Sequence, residues 1–393
     1  MKTLIENVNI LDLEKDEIRE ENSILIEEER IGEISSEISE DSNQIEVYDA
    51  EGKYAIPSFI DMHTHITFPG RSHLPIREFE YREDEKYAVS QGSQNLMEAL
   101  LSGVCLLRDL GSIDEKVNSL RNYKNKNKII GPEILTSGSA LIPEEDAHGN
   151  DFGTHIDSTS KARKVVEEKA EKGYEWIKVM NGPELFDIEV LSAIVDKAHE
   201  LSLKVSVHAF TEKGIKDAIK SGADTIEHSL VFDEETLKLA RENNTKFVPT
   251  YYCAWFSLRD QFTKGVPEEE LKHLKDWWKF LQENFQFHKE NKINLLAGTD
   301  AGFAPCNFVD IKDEIKMFHH KGLSATQALK TATIEPAKAL GKEQNYGSIE
   351  KGKYANFIIL EEDPRENLDT LDNYKGVWYK GADILNYLNR PWK

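Results

Sequence analysis

Ala55-Ile-Pro-Ser-Phe-Ile-Asp-Met-His-Thr-His65 is a short apolar run that ends in two histidines one residue apart. Side chains alternate along an extended strand, so His63 and His65 project the same way from its C-terminal end. Working outward, comparable apolar runs occur at 104–108, 133–137, 176–180, 204–208, 225–227, 246–250 and 294–297. Amphipathic helical patterns lie between them, for example at 160–172, 188–201 and 212–221. Gly222 closes the last of these where a left-handed cap is wanted. Eight strand-plus-helix units in about 285 residues predict a parallel (β/α)8 TIM-type barrel over 56–344. A doubly wound open sheet is the alternative, since periodicity alone does not show closure.

Both termini read differently. Short strands are expected at 3–10, 23–28, 30–34 and 44–49, and again at 356–360 and 376–379 around Gly352, Pro364 and Gly381. Neither piece carries enough apolar surface to fold alone. The α/β chain is therefore expected to have a small composite β-sandwich domain, built from 1–55 plus 345–393, beside the barrel.

The 393 residues include 49 Lys+Arg against 71 Asp+Glu, a formal charge of −22, which repels nucleic acid and acidic membrane surfaces. No stretch of eighteen residues is free of charge, and Glu6, Asp12 and Glu14 interrupt the N-terminus, so neither a membrane span nor a signal peptide is expected. Three scattered cysteines, Cys105, Cys253 and Cys306, suggest no disulfide framework and fit a reducing cytoplasm.

Potential ligands fall where the strands end. The first strand ends in His63 and His65, the fourth near Lys178, and the fifth at His208. The sixth runs into Glu227-His228 and the eighth into Gly298-Thr-Asp300. In a barrel these share the C-terminal rim, where active sites are built. Taken singly each has a plain reading: a hydrogen-bonded structural histidine, a solvated lysine, or an N-cap for Asp300. Taken together, four imidazoles and a carboxylate suit a borderline divalent ion such as zinc, with manganese or iron as alternatives. A lysine made neutral by burial and nearby cations can add carbon dioxide, and the resulting carbamate can bridge two metals.

The chain resembles the metal-dependent amidohydrolase superfamily in its imidazolonepropionase-like and prolidase-like (Xaa-Pro dipeptidase-type) branch. The resemblance rests on 55–65, Gly103-Val-Cys-Leu-Leu-Arg-Asp-Leu-Gly111, Ile177-Lys-Val-Met180, Val207-His-Ala209, Ile226-Glu-His228, Gly298-Thr-Asp-Ala-Gly302, Gln327 to Gly341 and Gly347 to Lys353, in family order. It implies two divalent metal ions, with His63 and His65 on the more buried one and His208 and His228 on the other. Carboxylated Lys178 would bridge them. Asp300 would bind the buried metal and take the proton from the attacking water. His148, in Glu145-Asp-Ala-His148-Gly-Asn150, replaces a more glycine-rich loop and keeps a candidate for polarising the substrate carbonyl. Phe210 follows His208-Ala where a second histidine is common.

Other residues are less marked. Tyr251, with Tyr252, follows the seventh strand and is a candidate either to hydrogen-bond an oxyanion or simply to pack. Arg108 and Asp109 read as a structural ion pair, and Arg71 and Arg77 as partners for a substrate carboxylate. The stretch from Trp277 to Phe287 reads as a core face, with a lid or dimer contact as the other reading. His199, His273, His288, His319 and His320 read as surface residues. The function implied is a binuclear hydrolase that cleaves an amide of a small peptide or N-acyl amino acid. A mononuclear deaminase, a cyclic imidazolone hydrolase and a non-catalytic interaction protein are the alternatives. No nucleic acid or membrane partner is expected, and a homo-oligomer is left open.

Overall fold

Apolar and β-branched residues at the start of the chain form β1 (Lys2–Asp12), β2 (Glu17–Glu27), β3 (Arg30–Ser35), β4 (Ile45–Asp49) and β5 (Tyr54–Pro57). The computed structural model describes residues 2–38, 45–70, 85–112, 114–143, 153–182, 186–303 and 305–389. The run expected as one strand from Ala55 divides at Ser58. β5 ends at Pro57, and Ser58 N–H turns to the carbonyl of Asn356 while Phe59 N–H turns to that of Gly103.

The barrel strands are β6 (Phe59–Thr64), β7 (Val104–Asp109), β8 (Glu133–Thr136) with its continuation β9 (Ala140–Pro143), β11 (Trp176–Met180), β12 (Lys204–His208), β13 (Thr225–Glu227) and β14 (Lys246–Val248); β10 (Gly153–Ile156) adds to β9. β6, β7 and β8 are neighbours in one sheet, and β9, β11, β12, β13 and β14 follow one another in a second. Glu175 N–H to the Thr136 carbonyl and the Val179–Leu141 pair link the two. The eighth position, 294–297, is a bridged segment rather than a ladder. Leu295 pairs with Phe247 on one side, and Met62 N–H reaches the Ala297 carbonyl on the other, which closes the barrel.

Its wall is packed from both strand and helix. Ile177, Val179, Val205, Val207, Ile226 and Phe247 meet Ala162, Val166, Leu191, Ile194, Ile215 and Ile219 in one buried cluster. The helices Thr159–Glu171 and Glu212–Lys220 are N-capped by Ser158 and Thr211, whose side chains accept from Lys161 and Gly214 N–H. Gly222, one residue past Ser221, adopts φ +89° as its position demands.

The chain ends in β15 (Phe357–Leu360), β16 (Gly376–Tyr379) and β17 (Ala382–Asp383), which form one sheet with β5, β1, β2 and β3; β4 pairs with β1. β15 runs antiparallel to β5, Phe357 opposite Pro57 and Leu360 opposite Tyr54. Ile5, Ile10, Ile24, Ala55, Phe357, Ile359 and Trp378 share its core. Two units result, one of residues 1–60, 98–105 and 311–393 and the other of 61–97 and 106–310. No helix among the described residues is long and apolar enough to cross a membrane.

Candidate active site

The histidines at the strand ends are oriented by what their Nδ1 atoms meet. His63 Nδ1 lies 2.8 Å from Glu227 Oε2, His65 Nδ1 3.0 Å from the Gly111 carbonyl, and His228 Nδ1 2.8 Å from Thr250 Oγ1. Thr250 donates its own hydroxyl proton to the Pro249 carbonyl, so it accepts from His228. Each ring thus carries its proton on Nδ1 and presents the Nε2 lone pair, the tautomer a metal-binding imidazole needs. His208 completes the group, its ring centroid 4.6 Å from that of His228, which is 4.7 Å from His63. Burial and the Lys178 charge bring His63 down to about 4, and hold His208 well below the ordinary imidazole range. Burial and the neighbouring His208 and His63 do the same to His228.

Asp300 faces these lone pairs. Its Oδ1 is 3.3 Å from His63 Nε2 and 3.2 Å from His65 Nε2. Burial raises its pKa, but His63, His65 and Lys178 outweigh that and hold the carboxyl at about 2. A carboxylate oxygen thus lies between the Nε2 atoms of two imidazoles, an arrangement that a cation could join. Ligand atoms of His63, His228 and Asp300 all lie within 4.8 Å of one another. Lys178 is 1% exposed, and its Nζ has no hydrogen-bond partner among the described residues. Burial lowers its pKa to about 8 despite Glu227 and Asp300. A nitrogen and oxygen donor set with an unpaired, easily neutralised lysine fits a divalent ion and a lysine carbamate. Among the described residues Asp300 caps no helix, the next beginning at Ile311.

The backbone is strained at this rim. His228, Thr250 and Asp300 all have left-handed φ, at 66°, 48° and 60°, which is unfavourable for a β-branched threonine above all. Gly302 stands where a Cβ would lie 2.1 Å from the His65 carbonyl oxygen, and its φ is +97°, so only glycine lets the Asp300 loop close on the first strand.

Sequence reasoning missed the support beneath the histidines. Arg108 does not pair with Asp109, because neighbouring strand residues point to opposite faces. Arg108 instead donates to Glu227 Oε1 at 2.9 Å and to the Met62 carbonyl, while Asp109 accepts from Ser112, Thr136 and Ile66 N–H. Burial raises Glu227, but Arg108 and His63 outweigh it and hold the carboxyl well below the usual range. The available signal was charge placed inside two short apolar strands, Arg108 with Asp109 in one and Glu227 in the other. Asp61 similarly ties the first strand to the eighth, accepting from Thr299 N–H and Oγ1.

Other expectations fare differently. Tyr251 begins the helix Tyr251–Phe256, fully buried, with its ring edge-on to Trp278 and Phe285. Trp277, Leu281, Phe285 and His288 form the inner face of Glu268–Glu290. His288 is thus buried rather than on the surface, because it continues the helical spacing of that face. Cys253 and Cys306 form a disulfide that their separation of 53 residues concealed, as they follow adjacent strands round the rim. The Cys253 sulfur lies 3.8 Å from Asp300 Oδ2. His148, Arg71 and Arg77 lie outside the described residues.

The Amidohydrolase family model matches residues 54–382 of the chain. The crystal structure of a Xaa-Pro dipeptidase with bound methionine in the active site superposes with a TM-score of 0.86 at 26% identity, covering 98% of this chain and all of that one. Ochratoxinase of Aspergillus niger is 25% identical over 327 residues, 73% of this chain and 66% of that protein. Imidazolonepropionase of Clostridium tetani is 23% identical over 398 residues, 90% of this chain and 86% of that protein.

Proposed function

The chain belongs to the amidohydrolase family, hydrolases of carbon–nitrogen bonds, and we propose that it is a binuclear enzyme cleaving an amide of a small peptide or N-acyl amino acid. The observation that carries this reading is the convergence of the His63 and His65 Nε2 atoms on the Asp300 carboxylate, with Lys178 Nζ buried and without a hydrogen-bond partner among the described residues. His63, His65 and Asp300 would hold one ion, His208 and His228 the other, with a carboxylated Lys178 between them. Such ions, zinc by donor type, supply Lewis acidity that polarises a carbonyl and acidifies water.

The chain's own groups supply the rest. Asp300, ionised at neutral pH, would accept a proton from the attacking water and pass it to the leaving nitrogen. Glu227 and Thr250 fix the rings of His63 and His228, so their lone pairs need no reorganisation during turnover. Tyr251 and His148 are the candidates for steadying the substrate carbonyl. Of the named relatives, the Xaa-Pro dipeptidase fits this chemistry, since it acts on dipeptides.

Elemental analysis of protein reloaded with metal and bicarbonate, followed by a dipeptide and N-acyl amino acid panel, tests the reading. Close to two ions per chain with amide turnover is the expected result. One tightly bound ion, held by the compact His63, His228 and Asp300 group, together with deamination but no amide turnover, would replace it with a mononuclear deaminase.

A further inference from the structure

Aromatic rings flank the imidazole cluster. Phe210, two residues beyond His208, stays 36% exposed although the groups beside it are buried. Its ring centroid is 4.3 Å from His208, 5.5 Å from His228 and 5.5 Å from Trp277, with which it packs edge to face. Trp277 is itself fixed, 9% exposed and donating Nε1–H to the His228 carbonyl at 2.9 Å. Beside His65, Phe303 and the buried Phe68 lie with their rings 5.5 Å and 5.9 Å from the imidazole.

An exposed phenyl ring held against candidate ligands by a pinned indole is a preformed apolar wall at the place where substrate must lie. We propose that Phe210, backed by Trp277, is a specificity-determining residue that receives an uncharged apolar side chain, preferentially aromatic, on the half of the amide substrate lying over His208 and His228. This inference rests on the amide-hydrolase reading of the same site. A carboxylate side chain placed there would lose water without gaining a hydrogen bond from the ring. An ammonium group, which a ring face alone would attract, would be repelled by the divalent ions proposed at this site. A flat ring is favoured over a branched chain because an aromatic side chain completes an edge-to-face or offset arrangement with the Phe210 and Trp277 pair.

The test compares N-acetyl amino acids and Xaa-Pro dipeptides bearing Phe, Leu, Ala, Lys or Glu, with metal-loaded wild type, Phe210→Ala and Phe210→Leu. The expected kcat/KM for Phe over Ala substrates in wild type is about 10- to 100-fold, carried mainly by KM. That ratio should shrink to a few-fold in Phe210→Ala and to an intermediate value in Phe210→Leu, with melting curves confirming that both variants fold. Calorimetric binding of N-acetylphenylalanine against N-acetylalanine gives the same comparison without turnover. A binding preference that Phe210→Ala abolishes, in a protein that cleaves no amide, would support the wall while removing the amide-hydrolase reading. Equal handling of charged, small and aromatic side chains by wild type, or an unchanged preference in Phe210→Ala, would overturn the inference.

Discussion

Glu227 Oε2 lies 2.8 Å from His63 Nδ1, and the other oxygen of the same carboxylate takes a hydrogen bond from Arg108 at 2.9 Å. All three side chains are fully buried. The arrangement carries a charge pair beneath the cluster and converts it into a fixed imidazole orientation. Glu227→Gln should lower metal affinity about 10- to 100-fold, as loss of a partner that orients a ligand does. It should also destabilise the fold by up to about 3–5 kcal/mol, because Arg108 loses its counter-charge in a buried site. Metal titration and urea denaturation measure the two effects separately, and unaltered metal affinity in a folded variant would remove Glu227 from the support of His63.

Lys178→Ala should remove the proposed bridge and most activity, while short-chain carboxylic acids added to the assay should restore part of it by supplying bridging oxygens. Truncation to alanine leaves the space of a buried side chain whose Nζ has no hydrogen-bond partner among the described residues, and a small acid could fill it. Full activity of Lys178→Ala would sink the carbamate hypothesis.

His288 gives a pH dependence away from the cluster. Burial holds its ring down at about 3, against 6.5 for the ordinary side chain, and its Nδ1 accepts from Val231 N–H. The unfolded chain takes up the proton first, so the stability contributed is full above about 6.5 and is lost as pH falls towards 3. His288→Gln should therefore show a shallower fall in Tm between about pH 7 and pH 4 than wild type. An equally steep fall would show that other groups govern acid unfolding.

We propose that the two terminal segments fold as one domain. β5 and β15 pair over four residues, from Pro57 opposite Phe357 to Tyr54 opposite Leu360, and their side chains share a core with Ile5, Ile10 and Trp378. Removing residues 350–393 would bare the edge of β5 and open that core, so aggregated or protease-sensitive protein is expected. Recovery of a stable, monodisperse protein from the deletion would contradict it.

The strand ends were legible because alternation and the one-sided rim of a barrel act locally: His63, His65, His208 and His228 announce themselves within a few residues of an apolar run. The partners that orient them were not. Glu227 and His63 are 164 residues apart, and only closure of the barrel turns both side chains inward to meet. Thr250 reaches His228 from a left-handed conformation that no propensity assigns to threonine. The division of the 55–62 run depended on where Asn356 and Gly103 would offer carbonyls, which short-range periodicity does not encode.

Asp300 separates a structural reading from a catalytic one most sharply. Its carboxylate lies within 3.3 Å of two imidazole nitrogens and caps no helix among the described residues, so the capping account has no helix to act on. Asp300→Asn preserves size and most contacts but removes the negative charge and the basic oxygen. If Asp300 carries the proton from water to the leaving nitrogen, turnover should fall roughly 10²–10⁴-fold, the range for loss of general acid–base catalysis. Because Asp300 is also proposed as a ligand, the comparison must be made at saturating metal, with occupancy measured on the same sample. A large fall in turnover at full occupancy assigns the loss to proton transfer, whereas a fall that tracks occupancy assigns it to ligation alone. Turnover within a few-fold of wild type at full occupancy would take Asp300 out of the chemistry.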